Sequence, residues 1–238
     1  IIMKLFEYIN ESLFKEMLTS GFIAKRKHPS APLTILTYTK ECQVKHIWNA
    51  ATEKCRGLII DDDLNIIARP FKKFYNYEEL VADNVPIDKY LNKNMKFDAY
   101  DKLDGSLGIL YWIDDTPYIA TKGSFDSEQA LHATEILHTK YRNTWDKLDR
   151  NKTYLFEIIY PDDLHVVTYK GVDDIFLIGV LDTEDENTEY DIESYSHLFK
   201  TTKKYTGVED WESLRTQIDG TNREGFVIRF EDGFRMKL

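Results

Sequence analysis

The chain has 238 residues, 42% hydrophobic and 13% aromatic, enough to bury a sizeable core and too apolar for a disordered tail. Its 31 basic and 41 acidic residues leave a net charge of −10, which excludes a protein that coats nucleic acid nonspecifically but not one whose basic groups gather in one place. No apolar run nears the ~20 residues of a membrane span, and Cys42 and Cys55 form neither a metal-ligand spacing nor a disulfide framework, so no membrane partner and a reducing cytoplasm are expected.

Residues 5–19 predict an amphipathic helix, with Phe6, Ile9, Leu13 and Met17 at helical spacing and Gly21 beyond its end. Lys25-Arg26-Lys27-His28 and the turn-rich Pro29-Ser30-Ala31-Pro32 follow and read as a solvated loop. Leu58-Ile59-Ile60 and Ile66-Ile67-Ala68 predict a hairpin closed by the acidic turn 61–65. A hairpin returns both ends to one sheet edge. Arg56 before it and Lys73 with an aromatic after it are therefore candidates for a single anionic ligand.

Lys102-Leu103-Asp104-Gly105-Ser106 places a lysine, a carboxylate and a flexible backbone at the head of an apolar alternating run. A lysine can act as a covalent nucleophile when its surroundings favour the neutral amine, and Gly105 lets the backbone pass close to a phosphate. An Asp-Gly surface turn beside a solvated lysine fits the same four residues. Residues 107–113 and 118–121 predict a second hairpin, and Ser127 opens a helix running to about residue 142. Lys122 lies where that strand yields to the helix N-terminus, a position suited to phosphate. His132 and His138, six apart in the helix, are not a same-face metal pair.

Tyr154-Leu155-Phe156-Glu157-Ile158-Ile159-Tyr160-Pro161 is a buried-strand pattern interrupted by one carboxylate, which needs solvent or a partner. Residues 175–181 form another apolar strand, with Gly179 allowing close approach and Phe176 reading as core. The seven carboxylates from Asp182 to Glu193 read as a solvated run, and 192–200 and 209–218 as short helical segments. Residues 224–230 and 234–238 predict a final hairpin in which Glu224 meets Lys237 across the pair.

Lys102-Leu103-Asp104-Gly105, Phe156-Glu157, Glu224-Gly225-Phe226-Val227 and Lys237 resemble, in order, motifs I, III, IV and V of the covalent nucleotidyltransferases. Cys55-Arg56-Gly57, Arg69-Pro70-Phe71-Lys72-Lys73-Phe74-Tyr75-Asn76 and the text from Lys122 to Ala130 resemble the phage T4 RNA ligase 1 family, with the likeness running from about residue 50 to the end. The resemblance implies an α+β nucleotidyltransferase fold of antiparallel sheets, flanking helices and a nucleotide cleft. It implies one domain over 1–238, with 1–50 as a helical accessory segment and 51–238 as the core.

The chemistry it implies has three steps. Lys102 takes AMP from ATP, AMP passes to an RNA 5′-phosphate, and a 3′-hydroxyl displaces it. By resemblance Lys102, Glu224 and Lys237 are catalytic, Glu224 holds magnesium, and Glu157 meets the ribose. Arg56, Lys73, Lys122 and Arg235 meet phosphates, Tyr75 offers a stacking face, and Asp104 and Gly105 shape the loop. RNA with 5′-phosphate and 3′-hydroxyl ends, including broken tRNA, is the expected partner. Two departures stand out: Arg235 replaces the first lysine of motif V, where a planar guanidinium is not an ammonium, and the text stops one residue after Lys237, where relatives continue into a further domain. The resemblance leaves three readings of that end: a piece of a longer polypeptide, a partner protein that supplies the missing domain, or a minimal enzyme. A capping-type guanylyltransferase, a DNA ligase core and a silent nucleotide- or RNA-binding module are the alternatives.

Overall fold

A computed structural model describes residues 2–91, 94–161, 171–217 and 225–238. The chain divides into two compact units, residues 1–73, 106–159 and 173–201 in one and 74–105, 160–172 and 202–238 in the other.

The helix expected over 5–19 is two helices, α1 (Leu5–Tyr8) and α2 (Glu11–Thr19), because the Asn10 side chain accepts the Leu13 amide at 2.9 Å and so starts a new helix. The basic cluster is strand, not loop. β1 (Ile23–Lys27) forms a hairpin with β2 (Leu33–Tyr38), and its exposed lysines and arginine guard a sheet edge. After α3 (Lys40–Lys45), β3 (Arg56–Asp61) and β4 (Ile66–Ala68) form the expected hairpin and complete a four-stranded sheet ordered β1-β2-β3-β4. Residues 1–50 thus supply half of this sheet. Leu5, Ile9, Phe14 and Met17 bury against Ile23, Leu36, Leu58 and Ile60.

The chain then contributes β5 (Tyr75–Asn76), α4 (Tyr77–Ala82) and β6 (Phe97–Asp101) to the second unit. It returns to the first with β7 (Ser106–Ile113), β8 (Thr116–Ala120), α5 (Glu128–Thr139), β9 (Lys152–Ile159), β10 (Asp174–Asp182) and β11 (Glu189–Tyr190). These strands form an antiparallel sheet ordered β11-β10-β9-β7-β8. Ser127 caps α5 by accepting the Ala130 amide at 3.2 Å.

Two glycines let the two sheets of this unit approach. Gly57, at φ +101°, has no room for a Cβ, which would lie 2.2 Å from Ile109 Cδ1 and 3.2 Å from the Lys122 carbonyl. At Gly179 a Cβ would meet the Phe71 ring at 2.2 Å, the close approach expected there.

β12 (Lys204–Tyr205), β13 (Phe226–Phe230) and β14 (Arg235–Lys237) close the second unit, whose sheet runs β12-β6-β13-β14-β5 and is antiparallel except for β14 beside β5. One face packs Ala99, Phe226, Ile228, Phe230 and Met236 against Leu80, Tyr90 and Trp211. The other face is polar.

Candidate functional site

In the first unit, Tyr38 ends β2 opposite the segment that starts β3. Thr37 pairs with Arg56, and the Tyr38 amide donates to the Cys55 carbonyl at 2.7 Å. The Gly57 contact draws the backbone of Lys122 to the same place. Lys122 Nζ donates to the Tyr38 hydroxyl at 3.3 Å and lies 4.6 Å from the ring centroid, while Lys73 Nζ lies 5.7 Å from that centroid and 4.5 Å from the centroid of Trp48. Tyr38 and Trp48 meet edge to face at 4.9 Å.

Burial pushes the Tyr38 phenol up, yet Arg56, Lys122 and Lys73 outweigh it and hold the phenol below the usual tyrosine range. Arg56, Lys73 and Lys122 are therefore brought together around one aromatic. That aromatic is Tyr38, which sequence reasoning missed along with Trp48. The available signal was a tryptophan in a polar stretch, Trp48-Asn49, that no apolar periodicity explains.

The segment carrying Lys73 is clamped before it. Arg69 is buried, and its guanidinium donates to the carbonyls of Asp182 at 2.7 Å and Asp185 at 3.2 Å. Phe71 sits on Gly179, and the Lys73 amide donates to the Glu53 carbonyl at 2.8 Å. Side chains of the run from Asp182 to Glu193 are partly used in structure: Asp182 accepts the Glu184 amide and the Tyr190 hydroxyl.

Glu157 lies mid-sheet, between Leu107 on β7 and Phe176 on β10. All three are half-exposed, and the strand neighbours of Glu157 and Phe176 are buried, so Phe176 is not the core residue its sequence suggested. Their row is one same-face step from Ile109, Leu155 and Gly179, on which Gly57 and Phe71 rest.

In the second unit, the Lys102 amide donates to the Gly225 carbonyl at 2.9 Å, extending the β6–β13 ladder past Asp101 and Phe226. Lys237 pairs with Val227 and lies 5.6 Å from the Phe74 ring centroid. Register therefore brings Lys102 and Lys237 to one end of one sheet. Among the described residues, alternation puts Lys102, Lys204, Arg229, Arg235 and Lys237 on the polar face with the carboxylate of Asp98, which meets Lys204 at 3.5 Å. Arg235 stands directly opposite Arg229.

Tyr75 pairs with Met236 and is partly buried against the apolar core. Asp104 and Gly105 are half-buried in the loop between β6 and β7. Glu224 lies outside the described residues. Among the described residues no three His, Cys, Asp or Glu side chains gather to hold a metal ion, and no helix is long and apolar enough to cross a membrane.

The sequence model of the T4-type RNA ligase family, described as RNA ligase, matches residues 54–238. The chain belongs to this RNA ligase family. A curated relative, an RNA ligase of Rhodothermus phage RM378, is 27% identical over 217 residues, covering 76% of this chain and 47% of the relative. The chain spans less than half the length of the curated relatives it matches.

Solved structures share the nucleotidyltransferase fold of ATP-dependent RNA and DNA ligases. A protein of Aquifex aeolicus provisionally named an ATP-dependent DNA ligase gives a TM-score of 0.63 at 15% identity, covering 95% of this chain and 61% of that one. A Naegleria gruberi RNA ligase variant solved with ATP and manganese gives 0.53 at 22%, covering 71% of this chain and 57% of that one. For this RNA ligase family member the expected α+β fold with antiparallel sheets is thus the observed one.

Proposed function

We propose that this chain forms the nucleotidyl-transfer part of an ATP-dependent RNA ligase. The observation that supports it best is the register that sets Lys102 and Lys237 at one end of a sheet face that also carries Lys204, Arg229 and Arg235. In the proposed first step the Lys102 amine attacks the α-phosphorus of ATP. A phosphorus–nitrogen bond forms, the bond to the bridging oxygen breaks, and pyrophosphate leaves with the electron pair. An RNA 5′-phosphate oxygen then displaces the lysine, and a 3′-hydroxyl displaces AMP and joins the strands.

Each step builds charge on phosphoryl oxygens, which fixed cations stabilise most where water is excluded. Lys237 and Arg235 are proposed at the α-phosphate, and Arg56, Lys73 and Lys122 at the outgoing pyrophosphate. Glu157, beside Phe176, would accept from the ribose hydroxyls, and Asp104 and Gly105 would fix the loop behind Lys102. Magnesium would be held by Glu224 and phosphate oxygens, ligands that suit a hard cation, and would neutralise charge there.

Broken RNA with 5′-phosphate and 3′-hydroxyl ends, such as a cleaved tRNA loop, is the proposed substrate, and a further domain or a partner protein would help select it. Incubation with radiolabelled ATP and magnesium should leave AMP on the protein, and Lys102→Ala should abolish the label. Label persisting in that variant overturns the proposal; labelling from GTP alone would indicate a capping-type enzyme, and sealing of nicked DNA in preference to RNA a DNA ligase.

A further inference from the structure

We propose that Trp48 is a positioning residue that holds the Lys73 ammonium ready for the pyrophosphate end of ATP. The inference rests on the reading of Lys73 given above. Trp48 is presented by a short, heavily bonded turn. The Thr52 hydroxyl donates to the Ile47 carbonyl at 2.8 Å and accepts the Asn49 amide at 3.0 Å, so the residues on either side of Trp48 are pinned to one buried side chain. Asn49 Oδ1 in turn accepts the amides of Ala51 and Thr52, each at 3.0 Å.

The indole ring so fixed lies 4.5 Å from Lys73 Nζ, and its edge-to-face contact with Tyr38 joins it to the ring that orders Lys122. A lysine stem has four rotatable carbons and loses rotamer freedom whenever its head is localised. An aromatic face that holds the ammonium before the anion arrives removes part of that loss from binding. The backbone clamp at Arg69, Phe71 and the Lys73 amide fixes where the stem begins; Trp48 fixes where it ends.

The test is calorimetric titration of the whole chain with inorganic pyrophosphate. Trp48→Ala should weaken binding about tenfold, the effect of one partly desolvated cation–π contact, and Trp48→Phe should recover it to within about threefold. In a Lys73→Ala background the Trp48→Ala change should cost far less than in the native chain, because only its edge contact with Tyr38 is left to act through. Where Trp48→Ala does not fold, Trp48→Leu takes its place, keeping bulk and losing the π face. Unchanged binding, an equal loss in the Lys73→Ala background, no recovery with phenylalanine, or a native chain that does not bind pyrophosphate would each overturn the proposal. Labelling from ATP is read separately: its absence, with pyrophosphate binding intact, removes the ligase reading and leaves the role of Trp48 standing.

Discussion

Adjacent carboxylates meet opposite fates at Asp173 and Asp174. Asp173 is half-exposed beside His132, whereas Asp174 is 1% exposed and receives Lys140, the Tyr141 hydroxyl at 2.7 Å, the Ile175 amide at 2.8 Å and Lys200 at 3.1 Å. Burial pushes the Asp174 carboxyl up, but these donors outweigh it and hold it below the usual carboxylate range. A carboxyl held low in the folded state stabilises fully above its unfolded value, near ~3.9, and that contribution is lost as pH falls through the folded value. Asp174→Asn should therefore lower stability by about 1–3 kcal/mol at neutral pH, with the gap closing in strong acid. Urea unfolding of both proteins at pH 7 and at about pH 3 checks it, and a gap that does not shrink refutes the account. None of this was legible in sequence, where Asp173-Asp174 is a pair of equivalent acids. Lys102, Lys122 and Arg56 were legible because their chemistry is local to a motif, whereas Tyr38 acquires its character only from cations that arrive from three separate strand ends.

Between elements, glycine sets how near two strands come. Gly57→Ala would place a methyl 2.2 Å from Ile109 Cδ1 and 3.2 Å from the Lys122 carbonyl, at a φ that side chains disfavour. A loss of about 2–3 kcal/mol is expected. Because the same contact seats Arg56 beside Lys122, pyrophosphate binding should weaken as well. A urea midpoint and a pyrophosphate titration measure the two effects, and a variant as stable and as tight as the native chain would show that the sheets need no such approach. Apolar runs and turn residues found β3, β4, β7, β8, β9 and β10 but did not reveal what Gly57 touches, since that partner lies in another sheet. It also missed β6. Phe97-Asp98-Ala99-Tyr100-Asp101 has two residues of low strand propensity, and its strand is made by pairing with β12 and β13 from the far end of the chain.

At the scale of the molecule the same nonlocality decides which strands share a compact unit: β5 and β6 belong with β12 to β14, and no local signal links them. Charge is distributed just as unevenly. A net of −10 repels RNA as a whole, yet Arg56, Lys73 and Lys122 gather at Tyr38, and among the described residues five cations share one sheet face with a single carboxylate. If RNA ends are held by such local clusters and by nothing else, few phosphates are neutralised. Single strands give a salt slope near −0.7 per phosphate contacted, so engagement of about three cations predicts a slope of about −2. Fluorescence anisotropy with 5′-phosphorylated single-stranded RNA between about 50 and 200 mM salt measures it. A slope steeper than about −4 would mean that an extended basic track, and not these local clusters, binds the strand.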